Sequence, residues 1–300
     1  MSVRLGINPI GWTNDCMSWL GGLIPLDICL AEARAAGFSG IELGRKFPRS
    51  AKELRPLLER HGLSLVSGWY SARLLERDAH AEVKAMKPHF GLLQDLGSKV
   101  MVWAESTGNT INDVSARASA RPKVESAADW KRLGKRMTEV ADYMADRGMR
   151  MAVHHHMGTA IESEADVDRL MENTGPAVGL LLDTGHMTVA GGDPVAVTER
   201  YAKRVIHVHC KDIRRYALES CRRQDLSFSH AVVSGIFTAP GDGIVDYPRI
   251  LRILAGAGYA GWLVQEAEQD PRMADPRIYA ELGNAHLRQL CRRAKLPLAA

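Results

Sequence analysis

Residues 153–157 read VHHHM, three consecutive histidines at the end of a short apolar run. Downstream, DTGH sets Asp183 three residues before His186, HVHCKD gathers His207, His209, Lys211 and Asp212, and QEAEQ carries Glu266 and Glu268. Imidazole and carboxylate are the side chains that bind borderline or hard divalent ions and that exchange protons near neutral pH. Asp183, His209 and Glu266 each close an apolar run, and such a mixed oxygen and nitrogen set suits Mn²⁺, Co²⁺, Zn²⁺ or Mg²⁺. Cys210 alternates away from the face of His209, so a soft thiolate site is not expected. The three histidines cannot share one role on a strand, because His154 and His156 have one parity and His155 the other. One or two of them could complete a metal shell beside Asp183, and another could hold a substrate hydroxyl or carry a proton.

These residues need a scaffold that brings distant segments to one place. Short β-rich runs alternate with helical patterns along the whole chain. Strands are expected at 3–8, 39–43, 63–70, 99–105, 149–155, 178–186, 205–212 and 261–269. Helices are expected between them, among them 76–97, 127–148, 162–173 and 276–295. Strand–helix alternation forces parallel pairing through right-handed crossovers, and eight such units close naturally into a (β/α)8 TIM barrel. No GxGxxG follows the first strand, which argues against an open dinucleotide-binding sheet. The expected organisation is one barrel domain over 1–300, with an insertion at about 213–245 of a size for a lid or a contact between subunits of a homo-oligomer. In such a barrel the active site lies at the C-terminal strand ends. Those ends carry Asn8, Glu42, Trp69, the histidine triplet, Asp183, His209, Lys211, Glu266 and Glu268.

Composition is consistent with an enzyme core. The chain of 300 residues is 46% hydrophobic and 25% charged, with a net charge of +4. Its arginines and lysines are scattered, which argues against a nucleic-acid footprint. No apolar run reaches the ~18 residues of a membrane span, and the N-terminal stretch lacks the pattern of a secretory signal. Five cysteines without a CxxC pair suit reduced thiols, so a cytoplasmic location and no membrane partner are expected.

Several longer stretches carry a resemblance: GINPIGWTND (6–15), GFSGIELGRKFPR (37–49), AVHHHMGT (152–159), LLLDTGHM (180–187), AGGDP (190–194), VIHVHCKD (205–212), GIFTAPGDGIVDYP (235–248) and GWLVQEAEQDP (261–271). Together they resemble the xylose-isomerase-like barrels and, within them, the inosose dehydratase family. The resemblance implies one divalent ion, Mn²⁺ or Co²⁺ first, held by Asp183, His209, Glu266 and a residue of the fifth strand. The superfamily has a glutamate there. This chain has none, which leaves His154 as the fourth ligand with His156 as its rival. The resemblance further implies His186 near the substrate and an association with glutathione, for which the sequence shows no site.

The reaction implied is dehydration of a cyclitol ketone, 2-keto-myo-inositol. Lys211, His186 and His156 are the expected acid–base groups, with Glu42, Glu268, Asn8 and His155 on substrate hydroxyls and Trp12 and Trp69 stacked on the ring. Alternatives are a metal-dependent sugar or cyclitol epimerase, an abasic-DNA endonuclease and a catalytically silent sugar-binding protein. The first differs by losing no water, the second needs more metal ligands and a basic groove, and the third would lack a complete ligand set.

Overall fold

The computed structural model describes residues 2–299. Among them, eight parallel strands close a barrel: β1 (Arg4–Ile7), β2 (Gly40–Leu43), β3 (Ser64–Ala72), β4 (Val100–Glu105), β5 (Arg150–His154), β6 (Val178–Asp183), β7 (Val205–Cys210) and, after two short hairpin strands β8 (Asp212–Ile213) and β9 (Phe237–Thr238), β10 (Trp262–Gln265). The barrel shuts where β1 pairs with β10, Arg4 opposite Trp262 and Ile7 opposite Gln265. Around it run α1 (Leu26–Ala35), α2 (Ala51–His61), α3 (Ala79–Asp95), α4 (Ala127–Ala145), α5 (Glu164–Asn173), α6 (Thr184–Val189) and α7 (Pro194–Tyr201). The insertion contributes α8 (Arg215–Gln224) and α9 (Phe228–Val233), and α10 (Tyr247–Gly256) and α11 (Pro276–Arg293) complete the ring. The expected barrel is therefore observed, with corrections at element ends.

Alternation along the strands separates two kinds of interior. Outward residues such as Leu180, Leu182, Val208 and Leu263 join the helices in the main apolar core. Inward residues lower in the barrel, Val102, Ala152, Leu181 and Val264 among them, fill it with small apolar groups. Two residues further along the same inward rows stand His154 after Ala152, Asp183 after Leu181 and Glu266 after Val264. The chemistry-bearing side chains are thus the top layer of a packed barrel. Gly40 is required in this packing, since a Cβ there would come within 2.6 Å of both Trp262 and Val66.

The expected strand 178–186 ends at Asp183. The Asp183 carboxylate accepts the backbone N–H of His186 at 2.8 Å and so caps α6, which turns 184–189 into a helix. Similarly, the expected helix 76–97 begins only at Ala79, because Asp78 accepts the Ala81 N–H as its cap. At α5, Ser163 and Asp166 form a reciprocal capping box.

The insertion folds over the barrel mouth. Phe228, Ala231, Val232, Ile236 and Phe237 pack with Met17 and Leu20 from the β1–α1 loop, Ile111 from the β4–α4 loop and Met157 after β5. Ser119 of the β4–α4 loop donates its backbone N–H and its hydroxyl to Asp225, tying the two covering segments together. Among the described residues, no helix is long and apolar enough to cross a membrane.

Candidate metal centre and active site

Four strand ends bring His154, Asp183, His209 and Glu266 together, with one ligand atom of each within 4.8 Å of the others. Asp183 Oδ2 lies 3.6 Å from His154 Nε2 and 3.6 Å from His209 Nδ1. His209 Nδ1 lies 2.9 Å from Glu266 Oε2 without the alignment of a hydrogen bond, and both it and Asp183 Oδ2 are buried with no hydrogen-bond partner. Donor atoms that crowd together yet do not bond to one another point at a shared position. That is the arrangement a cation fills, and the residues fit a divalent ion bound by two imidazoles and two carboxylates.

The surroundings set the tautomer of each clustered imidazole. His154 Nδ1 faces the His155 carbonyl at 2.9 Å, which places its proton there and leaves Nε2 as the free lone pair. His209 Nε2 faces Glu42 Oε1 at 3.2 Å, which leaves Nδ1 free towards Asp183 and Glu266. Burial alone would keep His209 neutral, but the charges of Glu266 and Glu42 outweigh it and raise its pKa well above the ordinary value. The field at Nδ1 therefore favours a positive charge. His154, by contrast, is driven well below its ordinary value by burial and then by the neighbouring imidazoles of His209, His156 and His155.

The oxygens of Glu42, expected on a substrate hydroxyl, are taken up by protein donors. It accepts from Asn8 Nδ2 at 2.7 Å, from Ser67 Oγ, and from His207 Nε2 at 2.9 Å in addition to His209. Burial would raise its pKa, but the imidazoles of His209 and His207 hold it well below the carboxylate range. Its oxygens orient His209, one of the four clustered donors. Glu42→Gln replaces one acceptor oxygen with an amide donor that these N–H and O–H groups cannot use. Divalent-ion affinity is expected to fall about 10- to 100-fold with the fold intact, and a competition titration with a chelating dye checks this.

Beside the centre lies a cavity of about 150 Å³, lined among others by Asn8, Asp15, Glu42, Trp69, Asn109, His154, His156, His209, Glu266 and Glu268. Trp69 forms a wall, edge-on to His154 and His156 at 5.5 and 5.2 Å. His156 donates from Nδ1 to the Met157 carbonyl at 2.7 Å, so its Nε2 carries the lone pair. Burial, then the Lys211 charge, lowers its pKa to about 4. The ligand-type atoms of His156, His186 and Glu268 lie within 4.8 Å of one another. Burial pushes the Glu268 carboxyl up, partly offset by Lys211, and the nearby Glu266 charge adds to the rise.

Four expected site residues sit elsewhere. Trp12 is 1% exposed in the core, its indole N–H donated to Glu32 at 2.6 Å, and it does not reach the cavity. His155 has the opposite parity to its neighbours, and its Nε2 accepts the Asp183 backbone N–H at 3.2 Å. Lys211 and His186 are fully buried behind the cavity wall, under Phe228 and Phe237, with the Lys211 ammonium 4.6 Å from the Phe237 ring. Asp212 does not pair with Lys211. It accepts backbone N–H groups from Ile213, Gly241 and Val245 and pins the insertion.

Asp15 and Asn109, both on the cavity wall, escaped the strand-end reasoning because they lie in loops. Only the WTND stretch of the resemblance touched one of them. Gly185 packs on the Lys211 stem, where an added Cβ would lie 2.5 Å from Lys211 Cγ. Gly185→Ala is expected to cost about 1–3 kcal/mol of stability by overpacking, read from the denaturant midpoint.

The family described as the xylose isomerase-like TIM barrel matches residues 30–290. The chain is 48% identical to the rhizopine catabolism protein MocC of Rhizobium meliloti, over 100% of this chain and 92% of that protein. It is 40% identical to an inosose dehydratase of Geobacillus thermodenitrificans, over 96% of this chain and 97% of that one. Among solved structures, a xylose isomerase domain protein from Planctomyces limnophilus superposes with a TM-score of 0.70 at 16% identity, covering 98% of this chain and 99% of the other. A probable 3-DHS dehydratase, AsbF of Bacillus anthracis, does so at 0.66 and 15%, covering 95% and 99%. These two likenesses concern the fold. With four strand-end donors in one cluster and full-length relatives of this kind, the chain belongs to the xylose isomerase-like TIM barrel family, in the company of the inosose dehydratases and MocC.

Proposed function

We propose that this chain is a metal-dependent hydro-lyase of inositol catabolism that removes water from 2-keto-myo-inositol (scyllo-inosose), leaving a trihydroxycyclohexane-1,2-dione. The observation that carries the reading is the convergence of His154, Asp183, His209 and Glu266 beside a cavity that also presents His156 and Glu268. The substrate is drawn from the relatives named inosose dehydratase, 37–40% identical over nearly the whole chain.

A divalent ion, Mn²⁺ or Co²⁺, bound by those four residues would supply Lewis acidity towards the substrate's carbonyl and neighbouring hydroxyl oxygens. His156 Nε2, with its lone pair free, takes the proton α to the carbonyl. Glu268 delivers a proton to the departing β-hydroxyl, which leaves as water. Their ligand atoms lie within 4.8 Å of each other, so base and acid work from one wall and the elimination is syn. Lys211 and His186 act from behind: the Lys211 ammonium lies 2.7 Å from Glu268 Oε1 and holds that carboxyl against the cavity. Trp69 offers a flat apolar face to the ring, and Phe228 and Phe237 keep water from the acid–base wall. A cytoplasmic location belongs to the same reading and is supported by five free cysteines.

The test is turnover of 2-keto-myo-inositol by chelator-stripped protein refilled with Mn²⁺ or Co²⁺, with and without reduced glutathione, followed by mass spectrometry. Metal-dependent loss of one water is the expected result. Metal-dependent isomerisation without loss of mass would move the chain to the epimerases.

A further inference from the structure

Glu266 faces two ways. Its Oε2 lies 2.9 Å from His209 Nδ1, on the side of the four-donor centre, and its Oε1 lies 2.5 Å from Lys211 Nζ. The same ammonium is 2.7 Å from Glu268 Oε1, 2.9 Å from His186 Nε2 and 3.8 Å from Asp183 Oδ2. Two carboxylate oxygens and an imidazole nitrogen around one positive centre form a donor set that would equally serve a divalent ion. His156 lies against His186, ring centres 3.8 Å apart and planes tilted by 39°, which brings a fourth donor close. A carboxylate that gives one oxygen to each of two cations is the bridge of two-metal sites, whose ions sit about 3.5–4 Å apart.

We propose that this barrel mouth is laid out for two cations bridged by Glu266, and that the Lys211 ammonium permanently fills the second position, so that Lys211 sets the number of divalent ions at one. The inference rests on the metal reading above. Three features keep the ammonium in place. Lys211 is fully buried. Its stem lies against Gly185, where even a Cβ would collide. Its head sits under the Phe237 ring. A fixed single charge there neutralises Glu266 and orients Glu268 without offering the substrate a second Lewis acid. That suits elimination, where one carbonyl needs polarising, better than in-line displacement, where paired ions hold both attacking and leaving oxygens.

The experiment titrates chelator-stripped wild type, Lys211→Ser and Lys211→Ala with Mn²⁺, measuring bound metal by equilibrium dialysis and metal–metal coupling by electron paramagnetic resonance. Wild type is expected to bind one ion with an uncoupled signal. The variants, with the position vacated, are expected to bind two and to show a spin-coupled pair. Variants that stay at one ion, beside wild type at one, overturn the proposal and leave the metal reading standing. A coupled pair in wild type, an arm that needs no variant to fold, overturns it as well. Wild type that takes up no ion removes the metal reading and this inference together.

Discussion

Asp183→Ala should abolish both metal uptake and turnover. Asp183 Oδ2 stands between His154 Nε2 and His209 Nδ1, 3.6 Å from each, and is the buried oxygen of the centre that has no other bond to make. Its loss leaves three donors and removes a negative charge that would balance the ion. If Lewis-acid stabilisation contributes several kcal/mol, the expected fall in kcat/KM is about a thousandfold or more. The same carboxylate caps α6 through Oδ1, so a further loss of about 1 kcal/mol of stability should accompany the change. Asp183→Asn separates the two effects. It keeps an oxygen for the cap but lacks the charge, so near-wild-type stability with metal binding still weakened is the expected pattern. Metal analysis of the purified variants decides the matter: a fully loaded, active Asp183→Ala protein would end the assignment.

His156→Gln should leave the metal and remove the base. His154 and His156 share a parity, and the sequence does not separate them as ligands. In the fold, His154 Nε2 turns to Asp183, whereas His156 lies 3.8 Å from the His186 ring on the acid–base wall. A positioned general base contributes about 10²- to 10⁴-fold, so kcat should fall by that much while Mn²⁺ affinity and KM stay close to wild type. His154→Gln should do the opposite and lose metal first. Metal titration and steady-state kinetics on the two variants form one comparison. If His156→Gln releases the ion and His154→Gln does not, the roles are exchanged. If His156→Gln leaves kcat unchanged, the proton acceptor lies elsewhere on the wall, with Asp15 the next carboxylate in the cavity.

The sequence by itself determined the barrel and the rows that end in its candidate ligands. Period-two apolar runs that end in Asp183, His209 and Glu266 dictate which face those residues share, and alternation with helices dictates that the strands are parallel and their ends adjacent. These are local patterns, legible because a strand has only two faces. What the tertiary structure alone decided is which lone pair each side chain has left. Glu42 lies near its strand end like any candidate for a substrate hydroxyl, yet donors from just after β1 and from β3 and β7 occupy its oxygens. Trp12 has the ring for stacking, but Glu32 of α1 draws its N–H into the core. Lys211 follows β7 beside Asp212, and only the closed barrel brings Glu266 and Glu268, just beyond β10, to its ammonium. Hydrogen-bond partners across a closed barrel come from segments far apart in the chain, so residue type reveals what a side chain can donate or accept, and packing decides to whom.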